Sequence, residues 1–168
     1  MPPSYQIRPA RENHELDAVR GLFLAYAQAL PIDLGYQGFA AELAGLPGQY
    51  AAPGGELLLA TDRAGTAIGC VGLRPRAGTG CEMKRLYVRP EARSSGLGRA
   101  LVQGIVAVAK RRGYREMLLD TLSTMDAALA IYARTGFVRC APYYQPTPPG
   151  TLFLKLALVA DGPAPPCC

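Results

Sequence analysis

Arg93-Ser94-Ser95-Gly96-Leu97-Gly98 sets two glycines and an arginine between a strand and a helix, a spacing suited to phosphate oxygens. Before it, Glu82-Met83-Lys84-Arg85-Leu86-Tyr87-Val88 reads as a strand stopped by Arg89-Pro90. After it, Leu97, Leu101, Ile105 and Val108 recur at helical spacing. The first N–H groups of a helix have no internal partner, and the helix dipole favours negative charge there. Gly96 and Gly98 lack the Cβ atoms that would hold a phosphate off those amides, and Arg93 and Arg99 add positive charge. The stretch reads as a pyrophosphate site. A Walker loop is excluded, because no Lys-Ser or Lys-Thr follows the glycines. A dinucleotide fingerprint fails at Leu101, where a third small residue should stand, although Asp120 lies about twenty positions on.

What remains, Arg-x-x-Gly-x-Gly between strand and helix, resembles the motif of the GNAT superfamily of acyl-CoA-dependent N-acyltransferases. Leu86-Tyr87-Val88-Arg89-Pro90-Glu91-Ala92-Arg93 is similar to that family's approach to the loop, and Tyr132 followed by Gly136-Phe137 is similar to its helix ending. The resemblance is close over Cys81 to Leu158 and holds only in element order over Tyr5 to Arg76. Many members carry Asn where this chain has Met125, so pantetheine contacts pass instead to backbone, Thr121 or Ser123.

The resemblance implies acetyl-CoA as co-substrate, no metal, and a primary amine of a small molecule or protein as acceptor. Such transfer needs a neutral amine, a stabilised oxyanion and a proton for the leaving thiolate. The resemblance gives the last task to Tyr132 and makes Glu82 the candidate base. Backbone of Leu86, Tyr87 and Val88 would pair with the pantetheine amides as an added strand, and Ser94, Ser95, Leu97 and Arg99 join the loop contacts. Each residue also has a plain alternative: a core tyrosine for Tyr132, an ion pair with Lys84 or Arg85 for Glu82. His14, the only histidine, lies on the first helix away from this pattern.

The resemblance implies acceptor recognition by loops of the first two helices and the region near the final strands, here Asp33, Tyr36 and Gln37 on one side and Tyr143, Tyr144 and Gln145 on the other. Aromatic and acidic groups together suit a cationic amine. Lys84 and Arg85 equally suit an acceptor bearing a carboxylate, and the sequence does not rank the two.

These residues need an α/β frame: a GNAT-type mixed, mostly antiparallel β-sheet with helices on both faces. The expected order is a strand at Tyr5 to Arg8, helices at Glu12 to Leu30 and Phe39 to Leu46, and strands at Glu56 to Thr61 and Ala67 to Leu73. Asp62-Arg63-Ala64-Gly65 joins those two strands as a hairpin signal. The strand, loop and helix above follow, then a strand at Met117 to Leu122 and a helix at Met125 to Arg134. Strands at Phe137 to Cys140 and Leu152 to Leu158 end the fold. With 168 residues, 49% of them apolar, the chain suits one core, assigned to residues 1–160. The Pro-rich tail 161–168, ending in Cys167 and Cys168, is expected to be disordered. No apolar run suggests a membrane span, no signal peptide is evident, and scattered cysteines fit a cytoplasmic protein.

The net charge of +5 is concentrated in Lys110-Arg111-Arg112 and Arg115, which complement a helix C-terminus. Without a wider stripe and interleaved aromatics this does not indicate nucleic acid. Three classes stay open: an acetyltransferase, which the residues favour; a non-catalytic acyl-CoA sensor; and an interaction protein that has lost its ligand. A sensor has no need of Tyr132, and loss of the ligand would leave the glycine loop unexplained. A homodimer is left open.

Overall fold

The computed structural model describes residues 4–158. Seven strands form one sheet: β1 (Tyr5–Pro9), β2 (Glu56–Asp62), β3 (Ala67–Pro75), β4 (Gly80–Val88), β5 (Glu116–Leu122), β6 (Val138–Arg139) and β7 (Thr151–Ala157). Their spatial order is β1-β2-β3-β4-β5-β7-β6. All neighbours are antiparallel except β4 and β5. The helices are α1 (Asn13–Ala29), α2 (Phe39–Ala44), α3 (Leu97–Arg111) and α4 (Asp126–Thr135). This is the expected mixed, mostly antiparallel α/β architecture. The tail 161–168, with its cysteine pair, lies outside the described residues.

Two apolar layers hold the sheet. On one face Leu101, Ile105, Val108 and their neighbours on α3 pack with α4 against Val71, Leu73, Met83, Met117 and Leu119. On the other, Val19, Leu22 and Phe23 of α1 meet Leu57, Leu59 and Cys70, with Phe39 and Leu43 of α2 at the margin. Leu57 to Ala60 of β2 are all buried, the continuous apolar run required of a strand covered on both faces.

Local signals explain the helix ends. α1 begins with a capping box in which Glu12 and Glu15 satisfy each other's backbone amides. The helix expected over Glu12 to Leu30 thus runs from Asn13 to Ala29, with Glu12 and Leu30 as its caps. α2 stops at Ala44, short of the expected Leu46, as Gly45 turns the chain. α4 ends at Gly136, which takes the left-handed conformation at φ 107° and lets the Gly136 and Phe137 amides bond back to the Tyr132 carbonyl. The Tyr-x-x-x-Gly-Phe spacing is thus a helix stop that returns Phe137 to Tyr132, with ring centroids 5.7 Å apart.

Candidate active site

The site lies where the sheet comes apart. β4 and β5 pair only over Gly80–Glu116, Cys81–Met117 and Glu82–Leu118. Beyond Glu82 the edge of β4 that faces β5 has no strand partner among the described residues. A bulge coincides with this parting. Between the pairs Gly72–Lys84 and Cys70–Tyr87, Arg85 and Leu86 stand opposite Val71 alone, and Arg85 sits at φ 59°. Successive strand residues normally face opposite ways. Here Lys84 and Arg85 turn to the same side, and both donate to the Gln37 side-chain oxygen, at 3.2 and 2.8 Å. Leu86 then faces the α3 layer, and Tyr87 the α1 layer.

A small cavity of about 20 Å³ occupies the parting. Tyr26, Lys84, Leu86, Asp120, Thr121 and Tyr132 are among its walls. Tyr132 is 6% exposed, and its hydroxyl has no hydrogen-bond partner among the described residues. Burial pushes its phenol up, so it holds its proton at neutral pH. Lys84 and Asp120 form an ion pair at 3.0 Å within the cavity wall. Burial pushes the Lys84 ammonium down while Asp120 and Glu82 pull it up, with a net lowering. Burial opposes ionisation of Asp120, but Lys84 and the Tyr144 hydroxyl outweigh it and hold the carboxyl below its ordinary range. Tyr144 donates to Asp120 at 2.8 Å, and the Gln37 amide donates at 3.1 Å.

Glu82 is placed differently. It is fully buried on the paired part of β4, receives Arg74 Nε at 2.7 Å and the Tyr143 hydroxyl at 2.6 Å, and is not in the cavity wall. Its expected partners Lys84 and Arg85 are engaged elsewhere, Arg85 with both oxygens of Glu42 at 2.9 and 3.2 Å. Lys84 and Arg85 are therefore neutralised by the chain and do not stand free for an acceptor carboxylate. Tyr36, Gln37, Tyr143 and Tyr144 do come together: Gln37 bonds both Tyr36 and Tyr144, and the Tyr143 and Tyr144 rings meet at 5.5 Å. Asp33 does not join them; its carboxylate caps the short turn at Leu34–Gln37 through the Gly35 amide. His14 lies exposed beside Glu12, far along α1 from this cluster.

At the outer end of the parting the loop 93–98 carries two left-handed residues, Ser94 at φ 68° and Gly96 at φ 80°. The amides of Ser94 to Arg99 find no acceptor among the described residues, and the helix has no side-chain cap. That is the donor set an anion requires. The two glycines act differently. A Cβ on Gly96 would meet nothing within 4 Å, so that position needs glycine for its φ. A Cβ on Gly98 would lie 3.1 Å from Ile131 Cδ1, so this glycine also lets α3 and α4 touch. Arg93 is partly occupied, donating to the Val88 carbonyl at 3.1 Å, and Ser95 donates to Ala92 at 2.7 Å. Arg99 is exposed, Leu97 puts its side chain in the core, and Val88 packs near Gly98. Thr121 reaches the cavity and Met125, whereas Ser123 is tied through its amide to Gly150.

Tyr26, Glu42, Arg74 and Asp120 escaped the sequence reading of the site. Asp120 was visible only as an isolated acid on a buried strand, and the other three carried no local signal.

A parted sheet leading from bare helix amides to a buried phenol fits a thioester with a long, anionic, amide-bearing arm, and this class of protein is an acyl-CoA-dependent acyltransferase. The model of the Acetyltransferase (GNAT) family matches residues 24–137. An uncharacterized N-acetyltransferase of Schizosaccharomyces pombe is 39% identical over 158 residues, covering 94% of this chain and 97% of the relative. The chain belongs to the GNAT family and is an acyltransferase. Among solved structures, a GNAT-family acetyltransferase from Staphylococcus aureus Mu50 superposes with a TM-score of 0.77 at 18% identity, covering 92% of this chain and 99% of that one. The PaiA N-acetyltransferase of Thermoplasma acidophilum, in complex with coenzyme A, gives 0.69 at 18% identity over 92% and 99%. At these identities the two structures establish the fold. Among the described residues no helix is long and apolar enough to cross a membrane.

Proposed function

We propose that the chain moves an acetyl group from acetyl-CoA directly to the primary amine of a small molecule or protein, with acid and base assistance from its own side chains. The observation that carries this reading is the juxtaposition, in one cavity, of a buried protonated Tyr132 with the ionised Asp120. The bare amides of Ser94 to Arg99 hold the pyrophosphate, and the unpaired edge of Leu86 to Val88 pairs with the pantetheine arm. Backbone N–H groups on that edge stabilise the oxyanion.

The amine attacks the thioester carbon, the C–N bond forms and the C–S bond breaks. Tyr132 gives its proton to the departing thiolate. The nitrogen loses a proton to Asp120, which lines the cavity, and solvent returns that proton to the tyrosine. Glu82, expected as the base, instead holds Arg74 and Tyr143 in place. The buried thiols Cys70 and Cys81 support a reducing, cytoplasmic compartment.

The test is Tyr132→Phe. Turnover followed by CoA thiol release should fall tenfold or more, within the range of about 10²–10⁴ typical of a general acid. Acetyl-CoA affinity by calorimetry should stay near that of the parent. Unaltered turnover would remove Tyr132 from the chemistry.

A further inference from the structure

Beside the cavity lies a second, larger cleft of about 320 Å³ between α2, the turn at Gly48–Tyr50 and β3. Gln37, Glu42, Gln49, Tyr50 and Arg74 contribute its polar groups. Gln37 links it to the cavity, since the same side chain bonds Lys84, Asp120 and Tyr144.

Two side chains in this cleft, Tyr50 and Arg74, have donors to spare among the described residues. Tyr50 is 3% exposed, and its hydroxyl is a buried polar atom without a hydrogen-bond partner. A group left in that state is costly, which asks for an explanation. Its ring is fixed: a Cβ on Gly72 would come 2.7 Å from it, so only glycine lets it lie against β3, and Phe23 meets it edge-on at 5.8 Å. The hydroxyl faces charge. Burial pushes its phenol up, Glu42 adds to this, and Arg85 and Arg74 pull it down. Arg74 is the second donor. Its Nε serves Glu82, but its terminal nitrogens make no hydrogen bond among the described residues, and the nearest other carboxylate, Glu42, is 3.9 Å away. Glu42 itself is held by both oxygens on Arg85. The ionic network around the cleft sets Arg74, Arg76, Lys84 and Arg85 against Glu42, Glu82 and Asp120, leaving one cation in excess.

We propose that the acceptor bears a carboxylate as well as its amine, an amino acid or a close analogue, and that Arg74 and the Tyr50 hydroxyl hold that carboxylate while the amine enters the cavity at Asp120. The proposal rests on the acyl-transfer reading above and deepens it. A carboxylate supplies only acceptors, matches spare donors of this kind, and neutralises the excess charge. A cationic diamine would bring a second positive charge to a cluster already cationic.

The cleft is read without turnover by calorimetric titration of the CoA-bound protein with phenylalanine, methionine, lysine and glutamate, each against its methyl ester. At least one free acid should bind tenfold or more tightly than its ester. Tyr50→Phe should weaken that acid about tenfold, the usual loss for one hydrogen bond to a charged group. The same substitution should hold or raise the melting midpoint, because it removes an unpartnered hydroxyl. Equal binding of acids and esters, binding by none of the acids, or full affinity in Tyr50→Phe would each overturn the proposal. Free-acid binding without CoA release in the transfer assay would count against acetyl transfer and leave the carboxylate cleft standing.

Discussion

Two clusters of buried charge lie among the described residues, and they are finished differently. Glu56, at the start of β2, is 3% exposed and accepts Arg11 through both oxygens at 2.5 and 2.8 Å, Arg112 at 2.8 Å and the Leu57 amide at 3.0 Å. Arg112 also donates to the Gly55 carbonyl. That cluster is closed: every carboxylate oxygen is used by the chain, and it tethers β2 to the end of α3 and to the turn before α1. The cluster of Glu42, Glu82 and Asp120 has the same residue types but capping tyrosines, a cavity on one side and a cleft on the other. The difference lies in completeness. A charge network that satisfies itself serves the fold, and one with donors to spare beside a cleft waits for a ligand.

The largest effect should come from the open cluster. Asp120→Asn keeps the shape and most hydrogen bonds but removes the carboxylate proposed as the base, so kcat should fall by about 10²–10⁴ in steady-state thiol release, measured on protein whose circular dichroism matches the parent. A fall no larger than that of Glu82→Gln would return the base to Glu82. In the closed cluster the effect should appear in stability instead. Glu56→Gln strands Arg11 and Arg112 and should cost about 3–5 kcal/mol in urea unfolding, with the KM for acetyl-CoA unmoved. If activity fell in step with Asp120→Asn, the two clusters would not be separable in role.

Smaller still is the expected effect of Gly98→Ala, about 1 kcal/mol or less in stability, because its methyl asks Ile131 Cδ1 to give by a few tenths of an ångström while alanine gains about 1 kcal/mol of helix propensity. Since α4 carries Tyr132, kcat should decline more than acetyl-CoA affinity. A loss confined to acetyl-CoA binding would assign Gly98 to the phosphate site alone.

The mildest test is pH. Burial opposes ionisation of Glu56, but Arg11 and the Leu57 amide outweigh it and lower its pKa. A lowered carboxyl adds stability above its unfolded value, here 4.5, and loses it as pH falls through the folded one. Urea midpoints should therefore hold from neutrality down to about pH 5 and drop below it, and Glu56→Gln should flatten that drop.

What could be read in the sequence was local. The strand, the glycine loop and α3 declare themselves within about thirty residues through periodicity and turn chemistry. The stop at Gly136 places Tyr132 for the same reason, since helix termination is decided by its own few residues. The packing role of Gly98 was not legible because its neighbour Ile131 arrives from another helix. Arg74, Glu42 and Tyr50 were silent because each is an ordinary residue until β3, α2 and the turn at Gly48–Tyr50 meet. The distance of Glu82 from the cavity was hidden for a related reason: the pattern along β4 says that Glu82 is buried but not where β5 stops pairing. Boundaries slipped by one or two residues where several backbone endings cost nearly the same.

The odd residue in β4 has a wider consequence. A strand counts its side chains in twos, and Arg85 inserts a half-step that reverses the count for everything after it. Flattening the bulge with Arg85 retained would exchange the faces of Leu86, Tyr87 and Val88, sending Leu86 out of the cavity wall and Tyr87 into the α3 layer, whereas deleting Arg85 would mend the ladder and leave all three facing as they do. Arg85→Gly would keep the half-step, since glycine accepts φ 59° freely, while giving up the hold on Glu42. The parity of the strand and the charge at its bulge are thus two separate properties of one position, and only the first decides which residues face the thioester.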